Sequence, residues 1–270
     1  MRAYEIVSDG GVDALALNDR PDPEPGAEEI LVAVRASSIN YRDLSTIEDP
    51  AARAIPYPRI PNSDAAGEVL AIGPGVTRFA VGDRVAGCFF QHWSAGAIDA
   101  AAMASALGGP IDGVLAERIL LREAGAVKIP QHLSFSEAAT LPCAAVTAWN
   151  CLIEQGGLGA GDTALFLGTG GASIFGLQIA KMAGARAIIT SSSDAKLERA
   201  RALGADATIN YLDDPDWEAR VLELTDGRGV DVTLETGGGG TLQKSIHATR
   251  VGGTVSLIGV LTGSSIDPSR

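Results

Sequence analysis

The segment Gly168-Thr-Gly170-Gly171-Ala172-Ser173-Ile-Phe-Gly176 follows directly on the apolar run Thr163–Leu167 and leads into a helical stretch ending near Met182. That order has a chemical use. A glycine at 168 permits a tight turn, and one at 170 lets the backbone approach a pyrophosphate. The helix start then offers free amides and the positive end of a dipole. Gly171 and Ala172 complete the turn, and Ser173 stands where the standard dinucleotide fingerprint has its third glycine. The plain alternative is a structural βα turn, as in a flavodoxin-like or methyltransferase-like fold. The end of the next strand separates the cofactors. NAD sites place an acid there for the ribose 2′-hydroxyl, whereas this chain runs Ile188-Ile189-Thr190-Ser191-Ser192-Ser193 before reaching Asp194. Hydroxyl donors together with Lys196 suit a 2′-phosphate, so NADPH is expected. Ser193 or Asp194 also opens a helix there, and the two roles are compatible.

The elements that must position this turn are readable around it. From Thr163 onward, apolar strands at 163–168, 186–191, 207–210, 230–235 and 253–259 alternate with helical stretches at 172–183, 194–203, 215–225 and 240–249. Such alternation predicts a parallel sheet with crossover helices. The first third differs: short strands such as Ile30–Ala36, Gly67–Ile72 and Arg84–Phe90 are punctuated by Gly, Pro and Asp, which predicts a small β-barrel or sandwich. Residues 94–113, rich in Ala and Gly, are expected to form a long surface excursion. The character changes near Pro130, where Ser134-Phe-Ser-Glu137 forms a capping-box sequence and Pro142 suits the first turn of a second helix.

Composition narrows the function classes. A chain of 270 residues is a soft argument for two domains. A formal charge of −12 argues against nucleic acid or an acidic membrane surface as partner. No run approaches the roughly 20 apolar residues of a membrane span, and the N-terminus lacks a signal-peptide core. Cys88, Cys143 and Cys151 are widely spaced and form no C-x-x-C pair, which speaks against a disulfide scaffold or a four-cysteine zinc lobe. The chain reads as cytoplasmic, with a small-molecule substrate.

Several ordered segments together resemble the medium-chain dehydrogenase/reductase superfamily, in particular its zinc-free quinone-oxidoreductase-like branch. They are Ser38-Ile-Asn40-Tyr41-Arg42-Asp43-Leu44, Pro61-Asn-Ser-Asp64-Ala-Ala-Gly67-Glu68-Val69, Val81-Gly82-Asp83-Arg84-Val85, Ala139-Thr140-Leu-Pro142-Cys-Ala-Ala-Val-Thr147-Ala-Trp149, the Gly168–Ser173 turn, and Gly204-Ala-Asp206 through Ile209-Asn210-Tyr211. The resemblance covers essentially the whole chain. It implies an α/β protein in which a GroES-like β-barrel catalytic domain, residues 1–128, precedes a Rossmann-type doubly wound parallel sheet, residues 129–270. NADPH-using relatives surround the 2′-phosphate with a Ser, a Lys and a later Tyr, for which Ser192, Lys196 and Tyr211 stand at matching places.

Two departures follow. Zinc-dependent relatives carry a Cys in the segment occupied here by Asn40–Asp43 and a Gly-His-Glu in the segment 62–68, and this chain has neither the Cys nor the His. His92, His132 and His247 are scattered without ligand spacing, so no zinc is expected. The chain also ends where the family continues into a sixth strand and its usual homodimer edge. A truncated product is therefore expected, with the strand at 253–259 left as an uncovered apolar edge.

The expected chemistry is hydride transfer from NADPH to an electron-poor carbon of a quinone or α,β-unsaturated carbonyl. Without zinc, the charge developing on oxygen needs hydrogen-bond donors in a dry cleft. Tyr41 is the candidate donor, Asn40 positions the nicotinamide ribose or the substrate, Asp43 orients its neighbours, and Thr147 reaches the nicotinamide. The bland reading of Asn40–Asp43 is a polar turn after a buried strand, and Asp64 lines the cleft or serves a turn. The rival functions are an alcohol dehydrogenase acting on simple alcohols or aldehydes, which metal content distinguishes, and a truncated nucleotide-binding protein without turnover. A short-chain dehydrogenase is disfavoured because none of Tyr4, Tyr41, Tyr57 and Tyr211 has a lysine four positions on.

Overall fold

In the computed structural model, which describes residues 1–265, the short Gly- and Pro-bounded segments of the first half pair antiparallel. Strands β1 (Arg2–Ile6) and β2 (Leu15–Asp19) form a two-stranded ribbon. Strand β3 (Glu29–Ser38) is followed by helix α1 (Tyr41–Glu48), β4 (Asp64–Ile72), β5 (Arg84–Gly87), the short helix α2 (Ala100–Met103), β6 (Arg118–Arg122), β7 (Ala126–Lys128) and helix α3 (Phe135–Ala139). The larger sheet has the order β6-β3-β4-β5-β7. Ile30, Val32, Val69, Val85, Ile119 and Leu121 project from its strands into one core. The capping box predicted for α3 is present: Ser134 N–H donates to Glu137 Oε2 at 2.8 Å, and Glu137 N–H donates to Ser134 Oγ at 3.2 Å.

The chain divides into two units, Met1–Cys143 and Ala144–Arg270, later than the expected break between residues 128 and 129. The reason is packing. Ile129, Ala138 and Ala139 bury with Ala66 and Ala86 of the antiparallel sheet, which keeps α3 with the first unit. A second expectation is corrected in part. Residues 94–101 are exposed, but the chain then turns inward: Ser105, Ala106 and Leu107 are buried, and Leu107 N–H donates to the Phe89 carbonyl at 3.0 Å.

In the second unit, α4 (Val146–Trp149) lies between two wider π-helical turns at Leu141–Ala145 and Asn150–Gln155. Then come β8 (Thr163–Phe166), α5 (Gly171–Met182), β9 (Arg186–Ser191), α6 (Asp194–Ala202), β10 (Ala207–Asn210), α7 (Trp217–Leu224), β11 (Val230–Glu235), α8 (Leu242–Ala248) and β12 (Thr249–Leu257). All pairs are parallel, in the order β10-β9-β8-β11-β12. The three central strands, β8, β9 and β11, are buried on both faces, as the middle of a parallel sheet requires, while β10 and β12 at the edges are more open. Ala164, Phe166, Ala187 and Ile189 pack with Leu177 and Ala180 of α5 and Leu197 of α6. The alternate residues Leu165 and Ile188 pack with Trp217 and Val221 of α7 and Ala248 of α8. The sheet is thus doubly wound. Strand β12 lies at its edge and starts at Thr249, earlier than predicted. Among the described residues no helix is long and apolar enough to cross a membrane.

Candidate functional site

The order β9-β8-β11 reverses direction between β8 and β11, and in open α/β sheets ligands bind outside the strand ends at such a reversal. The Gly168 turn lies there. Gly168 has φ +71°, a region that penalises any side chain, and its N–H donates to Thr190 Oγ1 of β9 at 3.2 Å. Thr169 Oγ1 lies 3.1 Å from Ser191 Oγ, a second tie to the same strand. A Cβ at Gly168 or Gly170 would meet no atom within 4 Å, so the space over the turn is open. Helix α5 starts at Gly171, and its first internal bond runs from Ile174 N–H to the Gly170 carbonyl at 3.0 Å. The amides ahead of Ile174 therefore have no helical acceptor, the condition under which a helix start can receive an anion.

Ser173 departs from the fingerprint without damage. It is buried, and its hydroxyl donates to the Leu167 carbonyl at 2.7 Å. The close helix–strand approach falls instead to Gly176, where a Cβ would lie 2.6 Å from the Phe166 ring. The glycine at 176 was visible in the sequence, but its packing role was not, because it depends on which face of α5 meets Phe166.

The 2′-phosphate candidates fall on the same edge of the sheet. Ser192 follows β9, Tyr211 follows β10, and Lys196 lies in the first turn of α6. Ser192 and Lys196 are exposed, and among the described residues Lys196 forms no ion pair. Tyr211 N–H donates to the Ser191 carbonyl at 3.1 Å, which ties the ends of β9 and β10 together. Asp194, the first carboxylate after β9, accepts from Asn210 Nδ2 at 2.9 Å. Thr147 is half-buried on α4, a helix that packs on α5, and Ala172 is half-buried in the first turn of α5.

The first unit holds the other candidates. Asn40 to Asp43 is not a simple polar turn but a helix start. Asn40 is the N-cap of α1, and its N–H donates to Asp43 Oδ2 at 2.8 Å. Asp43 is buried at 1% exposure and also accepts from Arg42 Nη1 at 3.4 Å. Burial pushes its carboxyl above the usual range despite those bonds. Tyr41 is exposed at 56%. The Asn40 side chain lies beside the Asp64 and Asp43 carboxylates and favours their charge, although its buried Nδ2 forms no well-aligned hydrogen bond among the described residues.

Asp64, at the start of β4, belongs to the same group. It is fully buried, accepts from Ser63 Oγ at 2.9 Å and from the Cys143 N–H at 3.0 Å, and burial raises its carboxyl to about 6. The Cys143 thiol is pushed up to about 12 by burial and by the Asp64 and Asp43 carboxylates. The sequence reading left Cys143 without a role. The only signal for it is the pairing with Asp64 across 79 positions, which no local pattern carries.

Two family profiles match. "Alcohol dehydrogenase GroES-like domain" covers residues 26–131, and "Zinc-binding dehydrogenase" covers residues 171–270. A zinc-type alcohol dehydrogenase-like protein of Schizosaccharomyces pombe is 41% identical over 264 residues, 96% of this chain and 76% of that one. A quinone oxidoreductase of Pseudomonas aeruginosa is 33% identical over 266 residues, 97% of this chain and 74% of that one. Among solved structures, an alcohol dehydrogenase described as putative from Sinorhizobium meliloti 1021 matches with TM-score 0.90 and 43% identity, covering 98% of this chain and 78% of that one. An NAD-dependent alcohol dehydrogenase matches with TM-score 0.89 and 35% identity, covering 100% and 80%. A mycobacterial protein complexed with NADPH matches with TM-score 0.82 and 30% identity, covering 100% and 77%.

Proposed function

The chain belongs to the medium-chain dehydrogenase/reductase superfamily, and from that premise we propose that it is an oxidoreductase that reduces a quinone or an α,β-unsaturated carbonyl with NADPH and without zinc. The observation that carries this reading is the open Gly168–Gly171 turn, with free amides at the start of α5 and a hydroxyl–ammonium group at the ends of β9 and β10. Its relatives divide between NADPH and NAD in what they bind, so the residues of this chain must decide the cofactor. The nearest acid, Asp194, is engaged by Asn210, while Ser192 and Lys196 stand exposed for a phosphate. Lys196→Ala is expected to weaken NADPH binding roughly tenfold, the worth of one hydrogen bond to a charged group, and to leave NADH nearly unchanged. Titration calorimetry checks this, and an unmodified chain that binds NADH more tightly than NADPH overturns the assignment of Ser192, Lys196 and Tyr211.

The bound cofactor supplies the hydride, and the rest falls to the protein. The carbonyl oxygen of the acceptor gains charge as the carbon accepts hydride, and a donor aimed at that oxygen lowers the barrier. Tyr41, an exposed residue, is the donor this reading assigns, and Asn40, whose side chain lies beside the Asp64 and Asp43 carboxylates, positions substrate or ribose. Asp43 positions both by fixing the start of α1. The residues present do not fit a catalytic zinc. The segments where the zinc-dependent relatives carry Cys and His, Asn40–Asp43 and 62–68, hold neither here, and Asp64 already accepts from Ser63 and Cys143. Tyr41→Phe should lower kcat with a quinone or enone acceptor by roughly a hundredfold, as loss of an oxyanion donor does, with NADPH binding intact. Full activity in both Tyr41→Phe and Asn40→Ala would remove these residues from the mechanism.

A further inference from the structure

The second unit carries another glycine-rich turn, Gly237-Gly238-Gly239-Gly240, at the end of β11 beside the Gly168 turn in the sheet. By composition it resembles a second phosphate loop. Its amides say otherwise. Gly237 and Gly238 N–H donate to Glu235 Oε1 at 2.6 and 3.1 Å. Gly239 N–H donates to the Gly263 carbonyl at 2.8 Å, and Gly240 N–H to Thr262 Oγ1 at 2.9 Å. The loop has spent its donors on its own shape and holds none for an anion. Glycine is needed here for packing, since a Cβ at Gly237 would lie 2.2 Å from Thr241 Oγ1.

The group that sets this shape is Glu235. Its side chain is completely buried at the end of β11, and it accepts also from Thr241 Oγ1 at 2.7 Å and from Ser245 Oγ. A buried carboxylate is tolerated only with such donors, and each charge-assisted bond is stronger than a neutral one. Four consecutive glycines have a large conformational entropy to lose, and one carboxylate fixes the segment. Next to Glu235, Thr236 Oγ1 donates to the Leu167 carbonyl at 3.0 Å, the same oxygen that receives Ser173 Oγ at 2.7 Å. Leu167 immediately precedes Gly168. The clamped loop is thereby bonded to the last residue before the phosphate turn.

We propose that Glu235 is a positioning residue for dinucleotide binding, acting through Thr236 and the Leu167 carbonyl on the Gly168 turn. This rests on the reading that the Gly168 turn binds NADPH. A merely structural carboxylate would affect melting alone, whereas this arrangement ties it to one wall of the site at the sheet's reversal point.

Three variants test it, with NADPH affinity by calorimetry, a melting curve, and KM against kcat for the cofactor. Thr236→Val keeps the volume and deletes only the bond to Leu167, so its NADPH Kd and KM should rise about threefold to tenfold with kcat held. Glu235→Ala should raise Kd by at least about tenfold. Glu235→Gln keeps an acceptor for the two amides and should restore Kd to within roughly twofold of the parent. A parental Kd in Thr236→Val overturns the proposal, and so does a Glu235→Ala variant that melts lower but binds normally. If Glu235→Ala does not fold, Thr236→Val and Glu235→Gln decide. An unmodified chain that binds no dinucleotide instead fails the functional reading itself, a result that unchanged variants of a binding chain cannot mimic.

Discussion

Gly170→Asp is expected to leave the melting midpoint unchanged or slightly raised while weakening NADPH binding at least about a hundredfold, the loss of two charge-assisted hydrogen bonds. The fold has no objection to a side chain at this position. Gly170 has φ −78° and ψ 177°, ordinary extended backbone, and a Cβ there meets nothing within 4 Å. Gly170 is also the N-cap of α5, a position where aspartate is among the most favourable residues. The same carboxylate occupies the amides that an incoming pyrophosphate needs and repels its charge. Stability and binding are therefore pulled apart by one substitution. Calorimetry with a parallel melt reads both, and a variant that still binds NADPH like the parent means that the turn is structural.

The nucleotide half was legible because its signals are local. Strands β8 and β9 are short, largely apolar runs, which burial on both faces makes continuous in sequence, while β11 alternates Val230, Val232 and Leu234 with the buried polar Asp231, Thr233 and Glu235. Five strands and four helices of this unit fall within a few residues of their expected places. The Gly168 turn was equally local, since strand, glycines and helix start are contiguous. What escaped were features created by distant residues. Ser173 looked like a defect until Gly176 proved to carry the packing against Phe166. Glu235 looked like one more strand residue, because its donors at 237, 238, 241 and 245 gather only when the loop folds back. Asp64 and Cys143 meet across 79 positions.

In the first unit the same limit left two alternatives open. The polar run Asn40–Asp43 fits a turn as well as a helix start, and only the bond from Asn40 N–H to Asp43 distinguishes them. The Ala- and Gly-rich segment 94–113 lacks periodicity, so nothing in it announced that Ala106 and Leu107 return to the core. The boundary after Cys143 is likewise a matter of contacts, since α3 buries small alanines that carry no strong sequence signal.

Asp231→Ala is expected to destabilise the protein by about 3 kcal/mol at neutral pH, the low end for breaking a buried ion pair, and to lower the melting midpoint by roughly 6–12 °C. Asp231 lies in β11 at 5% exposure. Its Oδ1 accepts from Arg228 Nη2 and Arg250 Nε, each at 2.6 Å, and its Oδ2 from Arg228 Nη1 and the Thr163 N–H, each at 2.9 Å. The two arginines are partly exposed and recover water when the carboxylate is removed, which is why the low end applies. The Thr163 amide at the start of β8 recovers nothing, because that residue is buried. The pH dependence has a definite sign. The arginines and the Thr163 amide overcome burial and hold the Asp231 carboxyl well below the usual carboxylate range. Its folded pKa is then lower than its unfolded pKa of about 4. Its stabilisation is therefore fully present above that unfolded value and is lost as pH falls through the folded one. The gap in melting midpoint between parent and variant should hold constant from pH 7 to about 5 and narrow only below about 4. A variant that melts with the parent at pH 7 would show that Arg228, Arg250 and Thr163 are adequately solvated without the carboxylate. A gap already closing at pH 6 would assign the stabilisation to a group whose unfolded pKa lies near 6 or above and is lowered by folding, such as a histidine held neutral, and not to the Asp231 carboxylate.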